Sequence, residues 1–291
     1  MENVYHASTT NTGRARLWTL PRTGRTSGGQ YDGCVDDHAA HANSFGPAAA
    51  IYERGRPPYP DEALDWLLSS AGPSGGALTR TPLRVLDLGA GTGKLTRQLA
   101  ARGLEVTAVD PSDGMLAELG RVLPDLPALV GTAEGIPLRD HSVDVVLVAQ
   151  AWHWVDVKLA VPEVARVLSP GGRLGLIWNL RDEREDWVRR LGEIIGSPEM
   201  HRRTAVGAPF GPAEIREFGW THRIGRAQIL DLVASRSAVI LLPPADRAAL
   251  LDRVRNLLDT HPALAGRDEY DLPYVTQCAR ADLAPEPTTR R

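Results

Sequence analysis

The stretch Arg84 to Gln98, RVLDLGAGTGKLTRQ, joins a strand, a glycine turn and a helix without a gap. Val85, Leu86 and Leu88 form the short apolar run of a buried parallel strand, and Gly89, Gly91 and Gly93 end it at once. Glycine is needed where the backbone turns with positive φ or lets a ligand approach where a Cβ would collide, and three at alternate positions exceed what a generic turn requires. Lys94 to Ala101 then reads as a helix, with Leu95 and Leu99 one turn apart on one face. A helix start carries partial positive charge, so the loop suits the anionic or electron-rich end of a ligand.

The following strand, Leu104 to Val109, ends at Asp110, where a carboxylate can accept both hydroxyls of a ribose. A nucleoside ligand is compatible with this pair of strands in either of two forms. The loop separates them: it reads Gly-Ala-Gly-Thr-Gly, not the dinucleotide G-x-G-x-x-G, and no third glycine falls inside the helix.

Composition sets the outer bounds. The 291 residues, 43% of them hydrophobic, can build one large α/β domain or two small ones. No apolar run reaches eighteen residues and the start lacks the apolar core of a secretory signal, so neither a membrane span nor a membrane partner is expected. A formal charge of −3 and a pI near 6.3 argue against a broad basic face for nucleic acid. Cys34 and Cys278 lie far apart and in no metal-ligand spacing, which reads as two free thiols in a reducing, cytoplasmic compartment.

Residues 1–40 lack periodicity and read as a flexible N-terminal tail, and His38 in it and His41 just after it are solvated rather than metal ligands. The remainder, 41–291, reads as one domain with a core over 80–180. Ser44 to Tyr59 gives a short helix stopped at Arg-Pro-Pro. Asp61 caps a second, carrying Leu64, Trp66, Leu67 and Leu68 toward the sheet, and the Gly- and Pro-rich Ala71 to Gly76 ends it. Helix Pro111 to Leu119, strand Leu126 to Val130, strand Val143 to Ala149, helix Val157 to Leu168 and strand Arg173 to Trp178 continue the alternation that a parallel sheet with right-handed crossovers produces. Arg181 to about Gly211 breaks it and reads as an irregular acceptor-side insertion carrying Trp187, Met200, His201 and Phe210. Residues 212–282 supply further helices and two candidate strands, Glu217 to Ile224 and Tyr270 to Ala279.

The ordered motifs VLDLGAGTGKLT, VTAVDPSDGML, GTAEGIPL, SVDVVLVAQAWHW and EVARVLSPGGRLGLIWN resemble those of class I S-adenosylmethionine-dependent methyltransferases, over about Phe45 to Leu191. The resemblance implies a Rossmann-like α/β fold: a mostly parallel seven-stranded sheet flanked by helices, with an antiparallel last strand. It implies S-adenosylmethionine as cofactor, with S-adenosylhomocysteine as product. Gly89, Ala90, Gly91 and Gly93 would pass under the methionyl part, Asp110 would hold the ribose beside Pro111, and Met115 would meet the adenine face. Thr132, Ala133 and Glu134 match the adenine-edge loop, although many relatives carry Asp where this chain has Thr132. Tyr52 and Arg56 match an N-terminal segment that closes over the cofactor, and an arginine fork suits the methionyl carboxylate.

At the carboxyl end of the Val143 to Ala149 strand lies Gln150-Ala151-Trp152-His153-Trp154, where α/β sheets place their ligands. His153 reads as a general base for a phenol or alcohol, or as a hydrogen-bonding residue if the acceptor is a carboxylate. Similar carboxylate methyltransferases orient the acid with groups like Gln150 and a tryptophan N–H, here Trp154. Alignment of the acceptor supplies about 7–11 kcal/mol of the barrier, more than a base's roughly two to four decades of rate. The expected activity is therefore methyl transfer to a small-molecule acceptor, at the oxygen of a carboxylate or hydroxyl. The competing readings are a cofactor-binding module without transfer and an NAD-dependent oxidoreductase.

Overall fold

The computed structural model describes residues 49–70, 78–196 and 206–284. The expected tail with Cys34, His38 and His41, the Ala71 to Gly76 linker, and Met200 and His201 lie outside the described residues. In chain order the elements are α1 (Ala49–Gly55), α2 (Asp61–Leu68), β1 (Arg84–Leu88), α3 (Lys94–Ala100), β2 (Glu105–Asp110), α4 (Asp113–Val122), β3 (Ala128–Val130) and β4 (Val143–Ala149). Then come α5 (Val157–Val167), β5 (Leu168–Arg181), α6 (Asp186–Ile195), β6 (Glu214–Gly225), α7 (Arg226–Ala234), α8 (Ser237–Ile240), α9 (Pro244–Thr260) and β7 (Glu269–Asp282).

One seven-stranded sheet runs β3-β2-β1-β4-β5-β7-β6, parallel from β3 to β5, with β7 antiparallel to both its neighbours. The central strands read as near-continuous apolar runs because both faces are covered. On one face α5 lays Ala160, Val161, Val164 and Val167 against Leu86, Val146, Val148, Leu174 and Leu176. On the other, α2 and α3 bring Leu64, Leu67, Leu95 and Leu99 onto Val85, Val145, Leu147 and Ile177. Topology reverses at β1, so β1 and β4 open a crevice at their carboxyl ends, the place where such sheets hold ligands.

Three expectations need correction. Strand β5 starts at Leu168, not Arg173, because Leu168 pairs with Val143 before a register shift brings Arg173 opposite Val145. Asp61 is the first helical residue and forms an ion pair with Arg102, while Pro60 stands at the cap position. Residues 181–211 are not simply irregular, since α6 buries Trp187, Val188, Leu191 and Ile195. A ten-residue helix is marginal alone, and burial worth about 1.5–3 kcal/mol per large apolar side chain holds it. Those residues join α7, α8, α9 and the outer strands in a second core, which includes Ile229, Leu232, Val254 and Tyr274. That helical cap stands over the carboxyl end of β5 and the amino end of β7.

Candidate active site

The glycine turn between β1 and α3 is left-handed at all three glycines, with φ of 75°, 56° and 86° at Gly89, Gly91 and Gly93. A Cβ at Gly89 would lie 2.8 Å from Ala151 Cβ, and one at Gly93 2.9 Å from Leu119 Cγ, whereas one at Gly91 would meet nothing within 4 Å. The outer glycines therefore lock the turn against the loop after β4 and against α4, and the middle one faces open space. Asp110 fixes the turn from below: Gly91 N–H donates to its Oδ2 at 2.8 Å and Ser112 N–H to its Oδ1 at 2.9 Å. Burial raises the Asp110 pKa from its ordinary value, and the two backbone donors pull it back. Each oxygen keeps a further lone pair for a hydroxyl donor.

Asp87, within β1, is fully buried. Thr96 Oγ1 donates to its Oδ2 at 2.6 Å, while Oδ1 has no partner. Burial, helped by the nearby Asp110 charge, pushes its pKa up to about 7 despite the Thr96 bond. A buried carboxylate oxygen with an empty lone pair beneath a glycine turn suits a cationic donor. The strand's apolar pattern hid this residue.

Helix α1 is tied onto the start of α3 by Glu53, which accepts from Thr92 Oγ1 at 2.8 Å and pairs with Lys94 at 3.2 Å and with Arg97. Its other side packs on α7, where a Cβ at Gly55 would come within 2.4 Å of Leu232 N. These contacts fix α1, which carries Tyr52 and Arg56, between the glycine turn and α7. The Arg56 guanidinium lies 5.0 Å from the Tyr52 ring centroid, and its Nη2 donates to Ser235 O at 3.3 Å.

After β4, Gln150 takes φ of 59°, which L-residues with side chains seldom adopt and which often marks a site. Its N–H donates to Ile177 O at 3.0 Å and its Nε2 to Asn179 O at 3.2 Å. Asn179 continues the chain, accepting from Thr276 Oγ1 at 2.6 Å, and Thr276 accepts from Trp220 Nε1 at 2.8 Å. Trp152, His153 and Trp154 form a single 3-10 turn. Trp152 is the core tryptophan, and its buried Nε1 has no partner; Trp154 is 43% exposed, its ring 4.8 Å from that of His153. Burial lowers the His153 pKa to about 4, and its Nδ1 is buried without a partner. No carboxylate therefore raises its basicity through that nitrogen.

The adenine-edge residues sit in a tight turn, with Thr132 bridged to Gly135. Ala133 is buried in the core, and Glu134 accepts from Asp156 N–H at 2.8 Å, joining this turn to the start of α5. Met115 is 5% exposed, with its N–H turned to Ser112, and Pro111 is exposed. Arg181, Arg236 and Tyr274 come together on the cap side of Arg56, from positions so distant in the chain that no spacing pattern reveals them. A groove of about 620 Å³ opens at the other end of the sheet, beside Leu104, Val122 and Pro124. It lies at the amino ends of the strands, away from the glycine turn and the segment after β4.

Among the described residues no group of His, Cys, Asp and Glu is arranged for a metal ion, and no helix is long and apolar enough to cross a membrane. Residues 86–176 match the family model of a methyltransferase domain. An uncharacterized methyltransferase of Mycobacterium tuberculosis is 57% identical over 243 residues, spanning 83% of this chain and 96% of its own. A malonyl-[acyl-carrier protein] O-methyltransferase of Methylococcus capsulatus is 42% identical over 99 residues, 32% of this chain and 36% of that one. A solved methyltransferase structure from Anaeromyxobacter dehalogenans superposes with a TM-score of 0.59 at 27% identity, over 79% of this chain and 99% of that chain. With likeness along most of both chains and the same sheet carrying the glycine turn and its acid, the chain belongs to the class I S-adenosylmethionine-dependent methyltransferases.

Proposed function

We propose that this methyltransferase binds S-adenosylmethionine over β1 and β2 and methylates an oxygen of a small-molecule carboxylate. The residues fit the cofactor chemically. Asp87 offers its unpartnered Oδ1 to the methionyl ammonium, Asp110 accepts from the ribose hydroxyls, and open space at Gly91 leaves room for the chain between them. Arg56, whose Nε is buried without a partner, is placed to meet a carboxylate at the rim. Met115, Thr132, Ala133 and Glu134 would border the base. When bound, S-adenosylmethionine supplies a sulfonium methyl that the acceptor oxygen takes in one displacement, the electron pair of the broken bond staying on sulfur.

The observation that favours a carboxylate over a hydroxyl is the setting of His153. A hydroxyl must lose a proton, and a base works best with a pKa near the operating pH. His153, held at about 4 by burial, is neutral at pH 7 but a weak acceptor of protons. A carboxylate is already charged and needs only orientation. The buried N–H of Trp152 and the amide of Gln150 are the donors available for that, in place of the Trp154 expected from the sequence. The oxygen specificity named for the Methylococcus relative agrees with this choice. Incubation with methyl-labelled S-adenosylmethionine and a panel of carboxylic acids, phenols and amines tests it. The expected product is a methyl ester that mild base hydrolyses; a base-stable methylated phenol or amine, with no ester, would contradict the carboxylate reading.

A further inference from the structure

Across the sheet the strands stand in the order β1, β4, β5, β7, so the space above them is laid out in sequence. The glycine turn lies over β1 and the Gln150 to Trp154 segment over β4. Next come Arg181, at the end of β5, and directly opposite it in register Tyr274 on β7. Arg181 is 10% exposed in its side chain and Tyr274 is 4% exposed. The Tyr274 ring stacks on Trp220 at 5.3 Å, and its hydroxyl is buried with no hydrogen-bond partner. Arg236 enters from the cap, immediately after the Ser235 whose carbonyl holds Arg56.

These groups act on one another. The Tyr274 hydroxyl feels the charges of Arg181, Arg56 and Arg236, and Arg236 feels Arg181 and Arg56 in turn. Burial first, and then these two neighbours, lower Arg236 to about 10. Among the described residues Glu183, 4.0 Å from Arg181 and about half exposed, is an acid that acts on the cluster. Three guanidinium groups thus act on one buried hydroxyl that has no hydrogen-bond partner. Folding alone does not favour such a cluster, because like charges are desolvated together.

Building on the carboxylate reading above, we infer that Arg181, Arg236 and Tyr274, with Arg56 at their inner edge, form a handle site for a second anionic group of the acceptor. The acceptor is then a small molecule carrying at least two acid groups. The group at the handle is not the one methylated, because a guanidinium fork withdraws charge from the oxygen it binds. The handle sits one to two strand spacings from β4, or about 5–10 Å, which suits a compact polycarboxylate or a phosphate-bearing acid.

The test is calorimetric titration of the full chain, saturated with S-adenosylhomocysteine, with citrate, inorganic phosphate and the uncharged trimethyl citrate. Citrate or phosphate should bind and trimethyl citrate should be at least about 100-fold weaker; the tighter anion tells a polycarboxylate from a phosphate-bearing acceptor. Arg236→Gln should weaken the anion about tenfold or more and Tyr274→Phe about threefold or more, with S-adenosylhomocysteine affinity within twofold of wild type. Arg236→Gln should also melt no lower than wild type, since it relieves repulsion. If that variant fails to fold, Tyr274→Phe, which keeps the ring on Trp220, decides alone. No anion binding by wild type, or equal anion binding by wild type and a folded variant, overturns the handle site. Failure of wild type to bind S-adenosylhomocysteine overturns the cofactor reading instead.

Discussion

Replacing Asp87 by Asn separates the folding role of that residue from its proposed binding role. Asp87 is fully buried, and its pKa stands at about 7 against an ordinary 3.8. The sign follows from linkage. The folded chain holds the proton more tightly than the unfolded chain, so the stability contribution is full below about pH 4 and is lost as pH rises through about 7. A shift of about three units corresponds to about 4 kcal/mol at pH 8, a ceiling because protein interiors relax around buried charge. Asn keeps an oxygen for Thr96 and carries no charge. The cofactor-free Asp87→Asn protein should therefore melt several degrees above wild type at pH 8, given roughly 2–4 °C per kcal/mol, with the gap closing by pH 4. Its affinity for S-adenosylhomocysteine should fall about ten- to a hundredfold, as expected on losing a charged acceptor for an ammonium. The assay is thermal unfolding from pH 4 to pH 8, paired with titration of the ligand. A melting difference independent of pH would refute the buried-charge argument, and unchanged affinity would remove Asp87 from the site.

Gly55→Val should push α1 off α7, because the new side chain meets the Leu232 backbone where even a Cβ lies at 2.4 Å; ligand affinity should drop more than tenfold, and wild-type affinity in a folded Gly55→Val would show that α1 is not a cover. His153→Ala should lower kcat by less than about tenfold with an identified carboxylate acceptor, and the wild-type profile should be flat from pH 6 to pH 9 because the imidazole titrates near 4. A wild-type inflection between pH 6 and 7 that the variant loses, with a hundredfold fall in kcat, would restore the base role. Arg173→Met should destabilise by about 3–5 kcal/mol in denaturant melts, because it breaks the buried ion pair with Asp282 at 2.8 Å and the donations to Leu67 O and Ser69 O. A loss below about 1 kcal/mol would show that this ion pair does not hold β5 to β7.

The proposed cofactor half of the site could be read in the sequence because its signals are local. Strand, turn and helix are contiguous at Arg84 to Gln98, and Asp110 follows at the end of the next strand. Strand β4 announced itself by being apolar on both faces. Helix α6 was also written, in the spacing of Trp187, Val188, Leu191 and Ile195, but charged residues between them masked the periodicity. Asp87 was hidden in an apolar run, where a buried acid looks like an outward-facing one. The Ser-Pro-Gly-Gly turn obscured the true start of β5, which only pairing with Val143 reveals. Of the proposed acceptor side only Gln150 to Trp154 and Arg56 could be read, because Arg181, Arg236 and Tyr274 come near Arg56 only through the antiparallel β5–β7 pairing and the packing of α1 on α7. Which tryptophan is core and which exposed likewise depended on a 3-10 turn that alternation in sequence does not encode.

The most direct test of the central claim is titration calorimetry of wild type and Asp110→Ala with S-adenosylhomocysteine, with NAD as the control. Asp110 holds the glycine turn through Gly91 and Ser112 and faces the proposed ribose site, so wild type should bind S-adenosylhomocysteine saturably and NAD not at all. Asp110→Ala should bind about ten- to a hundredfold more weakly, equivalent to about 1.5–3 kcal/mol. Saturable NAD binding by wild type with no response to S-adenosylhomocysteine, or equal affinity in the two proteins, would contradict the account.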